Sequence, residues 1–182
     1  MSRDWRRVLI ALFLVVGCAV APTVAPTPRF GAAIQVEARD AEFLVTFDLD
    51  RPEWHAGEAI SGISRLERLG SGLTISGSGG GPFGFAFAEV SGTRHVEPIW
   101  TADCTSHPLA PTEQVTSPIT KSGGVAREDP DFGFWSAFFD TPGVSLATGT
   151  WDISAVAWFS DGSDCAGPQH RITATARVTI VP

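Results

Sequence analysis

Ile172, Ala174, Ala176, Val178 and Ile180 alternate with Arg171, Thr173, Thr175, Arg177 and Thr179 near the C-terminus of the chain. A period of two puts one set on a buried face and the other toward solvent, because successive side chains of a strand point opposite ways. A helix would scatter both sets around its circumference. The same alternation returns in Phe43, Val45, Phe47 and Leu49, in Phe83, Phe85 and Phe87, and in Trp151, Ile153, Ala155, Ala157 and Phe159. Strands are expected at 34–36, 43–50, 59–66, 72–77, 83–90, 95–102, 114–120, 134–139, 150–160 and 170–181, with turns at 52–57 and 91–93. The 19 Gly and 13 Pro residues suit a fold of many short strands and turns. The expected class is all-β, an antiparallel sandwich of about 8–10 strands. One segment reads two ways. Ile60, Ile63, Leu66 and Leu69 recur every three residues and Gly70 sits where a helix would end, yet Gly62 weakens a helix, so 58–69 is expected as a strand.

The first residues form an address rather than a fold. Arg3, Arg6 and Arg7 precede an apolar run from Val8 to Val16 that is shorter than the roughly 20 residues a membrane-spanning helix needs. Residues 1–17 are therefore expected to be a signal peptide. Val15-Val16-Gly17-Cys18 has the apolar and small residues of a bacterial lipobox, in which the cysteine takes a diacylglycerol and becomes the new N-terminus. Cys18 is thus the expected lipid attachment, and the chain an exported protein of the cell envelope, lipid-anchored to membrane. Ordinary secretion after Ala21 and a retained signal-anchor are the alternatives. Residues 18–32, with their Ala-Pro-Thr repeats, form a semi-rigid tether, and 33–182 the sandwich domain.

Composition narrows the partners. With 13 Lys+Arg against 20 Asp+Glu the net charge is −7; loss of 1–17 removes three Arg and one Asp, giving 10 − 19 = −9. Nucleic acid is not an expected partner, since phosphate binding rests on clustered cations and Lys121 is the single lysine. The same charge is repelled by anionic lipid, so any membrane contact has to come from acyl chains. The expected oligomeric state is a monomer.

With Cys18 assigned to lipid, Cys104 and Cys165 remain as an even pair in an oxidising compartment, and a disulfide between them is expected. The alternatives are a metal pair or a reactive thiol, but neither cysteine has a second cysteine at zinc spacing.

No catalytic, cofactor or metal motif stands out. Ser78 lacks the glycine two residues before it that a nucleophile elbow needs. Gly77-Ser-Gly-Gly-Gly81 lacks the Gly-Lys-Ser/Thr ending of a phosphate loop and reads as a flexible strand connection. His55, His95, His107 and His170 are scattered, and Glu128-Asp-Pro-Asp131 reads as a solvated acidic loop rather than a Ca²⁺ loop. No cofactor and no metal are expected. A hydrolase assembled from His55, Glu58 and Asp131 is the enzymatic alternative.

Phe47-Asp-Leu-Asp-Arg-Pro-Glu-Trp-His-Ala-Gly-Glu-Ala-Ile60, Leu73-Thr-Ile75 and Gly149-Thr-Trp-Asp-Ile-Ser-Ala155 form a recurring pattern. It resembles the immunoglobulin-like domains of bacterial lipoproteins and, more loosely, the bacterial intracellular proteinase inhibitor family. The resemblance covers about 47–159 and implies an immunoglobulin-like sandwich; no inhibitory residue is carried over. Export sets the chain apart from the cytoplasmic inhibitors.

Phe132-Gly-Phe-Trp-Ser-Ala-Phe-Phe139 is the densest aromatic stretch. Phe132, Phe134, Trp135, Phe138 and Phe139 are the candidate ligand-facing residues, a ridge for protein or carbohydrate; the opposing reading puts alternate members in the core. The expected function is a non-catalytic binding or structural module on the cell envelope, with a protease-inhibitor-like module as a variant of it.

Overall fold

The computed structural model describes residues 32–71, 73–109 and 113–182. Cys18, the signal peptide and nearly all of the tether lie outside them. The described chain forms an all-β sandwich. One sheet has the order β1 (Ile34–Arg39), β2 (Phe43–Leu49), β4 (Gly62–Arg68), β9 (Gln114–Pro118), antiparallel throughout. The second is built on two 13-residue strands, β10 (Gly149–Asp161) and β11 (Gln169–Val181), paired along almost their whole length. The other edge of β10 is shared: β6 (Phe83–Glu89) covers 151–157 and β5 (Leu73–Gly77) covers 160–161. β7 (His95–Val96) extends β6, and β8 (Thr105–Leu109) extends β5.

Alternation builds the core as expected. Phe43, Val45, Phe47 and Leu49 from the first sheet meet Ile153, Ala155, Ala157, Ala174, Ala176 and Val178 from the second, all essentially without solvent contact. Ring pairs cross the gap, Phe43 to Phe159 at 4.7 Å and Phe47 to Phe85 at 6.0 Å. Small alanines on β10 and β11 face large rings on β2, which is how two twisted sheets fill the space between them.

Four segments depart from expectation. The stretch 134–139 is no strand: α1 (Phe132–Asp140) is a helix, because Trp135 and Phe138, three residues apart, insert on one side of it. The lone lysine finishes that helix. Lys121 Nζ donates to the carbonyls of Phe138 and Thr141 and stands 4.4 Å from the Phe138 ring centroid. A cation on the last carbonyls satisfies groups a helix end leaves orphaned. Lys121→Met is therefore expected to lower unfolding free energy by about 1–2 kcal/mol, read from urea midpoints against the wild type.

The segment 52–57 holds a short strand, β3 (Glu53–His55), parallel to the end of β11, instead of a turn alone. β8 lies where no strand is expected, because Pro108 interrupts its ladder; among the described residues it is an edge strand paired to β5 alone. Only 95–96 of the expected 95–102 strand pairs, after which Pro98 carries the chain across the outer surface of β6. Gly84 makes that crossing possible, since a Cβ there would lie 2.4 Å from Pro98 Cβ. Within 58–69 the strand is β4, and a Cβ on Gly62 would meet Asp48 O at 2.5 Å, so this glycine sets how closely β2 and β4 approach.

Candidate functional site

Cys104 and Cys165 are joined, with Cα atoms 6.0 Å apart. The bond ties the segment entering β8 to the loop between β10 and β11. Cys165 holds a left-handed backbone, φ 57°, and its N–H donates to Ser76 Oγ at 2.9 Å. Ser76 faces Ser160 across the β5–β10 ladder, and Ser160 Oγ donates to the Cys165 carbonyl. Both serines sit on the outer face of the second sheet, yet the disulfide loop buries them.

Beside this roof lies a cleft of about 200 Å³, walled by Trp100 and Trp158, with Ser78, Thr101 and Asp103 along one side and Gln169 on another. The two indoles meet edge to face at 5.1 Å, and Trp158 remains 40% exposed. Trp158 belongs to the outer face of β10, which also carries Asp152, Ser154 and the buried Val156. Arg171 lies opposite it in register on β11, and Gln169 opposite Ser160.

The polar side is a directed chain of hydrogen bonds. Thr101 Oγ1 donates to Asp103 Oδ1, which leaves Ser78 Oγ, 2.6 Å away, to donate to Thr101. Ser78 Oγ in turn accepts the Thr101 N–H at 3.2 Å and the Gly80 N–H at 3.4 Å. The Thr101 hydroxyl and then the Gly79 N–H hold the Asp103 carboxyl below its usual range. Asp103 is thus an ionised acceptor at the mouth of the cleft, and Gly77-Ser-Gly-Gly-Gly81, expected as a mere connection, contributes Ser78 to it.

The aromatic run stands elsewhere. Trp135 is fully buried and Phe138 nearly so, so these two of the five candidates belong to the core and do not face a ligand. Helical spacing turned them inward, against Trp151 at 6.2 Å and Phe87 at 5.2 Å. Phe132, Phe134 and Phe139 are half-buried. Phe134 stacks on Trp151 at 5.9 Å and carries the Arg94 guanidinium at 4.3 Å, so that ring already has partners within the chain.

His55 and Glu58 come together, the His55 N–H donating to Glu58 Oε2 at 3.0 Å, whereas Asp131 stands with Thr93 and Arg94. The His55 N–H and the Arg51 guanidinium hold the Glu58 carboxyl below its usual range, opposite to the shift a general acid needs at neutral pH. Among the described residues, no three His, Cys, Asp or Glu side chains gather as a metal site.

A second polar cluster clamps the sheets together near the disulfide. His170 Nδ1 lies 2.7 Å from Asp40 Oδ2, and its ring stacks on Phe159 at 5.1 Å. Burial alone would raise the Asp40 carboxyl, but the Glu42 N–H, His170 and the Phe43 N–H together bring it below the usual value. A carboxyl depressed on folding adds stability that is present above its unfolded pKa and is lost as pH falls through the folded one. Unfolding free energy is expected to decline below about pH 4, and Asp40→Asn to be less stable at neutral pH with a shallower acid limb. Chemical denaturation from about pH 6 to pH 2.5 reads both.

Comparison with protein-family models, curated proteins and solved structures yields no match.

Proposed function

We propose that this chain is a non-catalytic ligand-binding module displayed on the cell envelope, held there by lipid on Cys18 and presenting the cleft beside the Cys104–Cys165 bond. The carrying observation is Trp158: a large indole on the outer face of a strand, 40% exposed, at the edge of a cleft with an ionised carboxylate. Large aromatic surface next to fixed polar groups is the usual composition of a small-molecule site. In this reading Pro-rich 18–32 sets the distance from the membrane. The likeness to immunoglobulin-like lipoprotein domains belongs to the same proposal and draws support from Ala56-Gly57-Glu58 and Gly149-Thr150-Trp151, whose glycines have φ of 83° and 146° at chain bends.

Two arms test it. Cells expressing the full chain and fed an alkynyl fatty acid should label the wild type and leave Cys18→Ala unlabelled. A photoreactive amino acid at position 158 should capture an envelope component that the same probe at exposed Leu69 does not. A labelled Cys18→Ala chain sinks the anchor, and equal capture at both positions sinks the cleft.

A further inference from the structure

The cleft has a definite chemistry, and it deepens the binding-module reading on which it rests. At about 200 Å³ it is smaller than the roughly 300 Å³ at which drug-sized sites begin. It therefore takes one ring, or one ring of a longer chain crossing the sheet. Its surroundings exclude two ligand classes. Peptides that bind by adding a strand need a free sheet edge, but this cleft lies on a face, and the β10 edge beneath it is already paired with β5 and β6. Anionic polymers meet Asp103 at the mouth, and Arg171, the cation beside Trp158, is 3.4 Å from Glu97. The chain as a whole carries a charge of −7.

An uncharged molecule with one C–H face and one hydroxyl-rich edge fits what remains. The exposed indole of Trp158 offers the apolar surface. Asp103 accepts hydroxyl hydrogens, and the Gln169 amide donates and accepts. The outer face of β11 continues past Arg171, which Glu97 holds, to exposed Thr173 and Thr175, so further rings of an extended ligand would meet one paired cation and then hydroxyls. We propose that the cleft binds a neutral glycan, one pyranose ring lying on Trp158 with its hydroxyl edge toward Asp103 and Gln169.

The test titrates the full chain with maltoheptaose, cellohexaose and chitohexaose, followed by calorimetry and tryptophan fluorescence. At least one should bind saturably and change the fluorescence. Trp158→Ala should weaken that binding tenfold or more, Gln169→Ala several-fold, and Leu69→Ala not at all. Gln169 and Leu69 are exposed, so these variants keep the test open should Trp158→Ala misfold. Absence of binding by all three sugars, or equal binding by wild type, Trp158→Ala and Gln169→Ala, overturns the proposal. Specific photocapture at position 158 without glycan binding would overturn the glycan assignment and leave the module reading standing; failure of both removes both.

Discussion

Trp135→Ala is expected to cost about 3–5 kcal/mol of unfolding free energy, the range for deleting a large buried aromatic. Trp135 is fully buried and contacts Phe134, Phe138 and Trp151 at centroid distances of 4.9, 5.4 and 6.2 Å. Its removal empties the space between α1 and the start of β10. With only nine residues, α1 cannot persist on its own, since isolated helices below about 12 residues are marginal in water. The helix should therefore loosen together with the cavity. Trp135→Phe is expected to cost much less, because the Trp135 Nε1 atom is buried without a hydrogen-bond partner and its loss breaks none. Urea unfolding of the three proteins checks both statements, and near-equal midpoints would contradict them.

Replacing Cys104 and Cys165 together by serine is expected to lose about 4 kcal/mol, from the loop-closure entropy of a 61-residue separation. At a typical slope this moves the urea midpoint by about 2 M. The effect reaches beyond stability. The bond holds down the loop whose Cys165 N–H and carbonyl meet Ser76 and Ser160, and both cysteines border the cleft. The double variant should accordingly lose glycan binding even at urea-free, low-temperature conditions where it remains folded. A variant that unfolds at the wild-type midpoint, or binds unchanged, would show that the staple neither stabilises the fold nor shapes the site.

The architecture was largely legible because alternation is a local signal. Phe43 to Leu49 and Ile172 to Ile180 declare their buried faces residue by residue, and their neighbours in the sheets follow. The helix was not legible, because Phe132, Phe134 and Phe138 satisfy a period of two as well as Trp135 and Phe138 satisfy helical spacing; what decides is the core beside Trp151 and the distant Lys121 cap. β8 was hidden by Pro108. The cleft was half legible. The cysteine pair followed from parity once Cys18 was set aside, but the cleft's walls come from separate stretches around Ser78, Trp100, Trp158 and Gln169, brought together by sheet register, the Ser78–Thr101 hydrogen bonds and the disulfide. One local sign was present: Trp158 stands on the outward positions of β10, after Asp152, Ser154 and Val156. A large exposed indole on that face is the feature that separates a binding surface from a scaffold here.

The indole N–H resonances of the six tryptophans measure the central claim directly. In the full chain titrated with maltoheptaose, cellohexaose and chitohexaose together, the signals of Trp158 and Trp100 should shift progressively to saturation, while those of buried Trp54, Trp135 and Trp151 stay in place. Unmoved Trp158 and Trp100 signals, whether the others shift or not, would contradict a ligand site at the disulfide cleft.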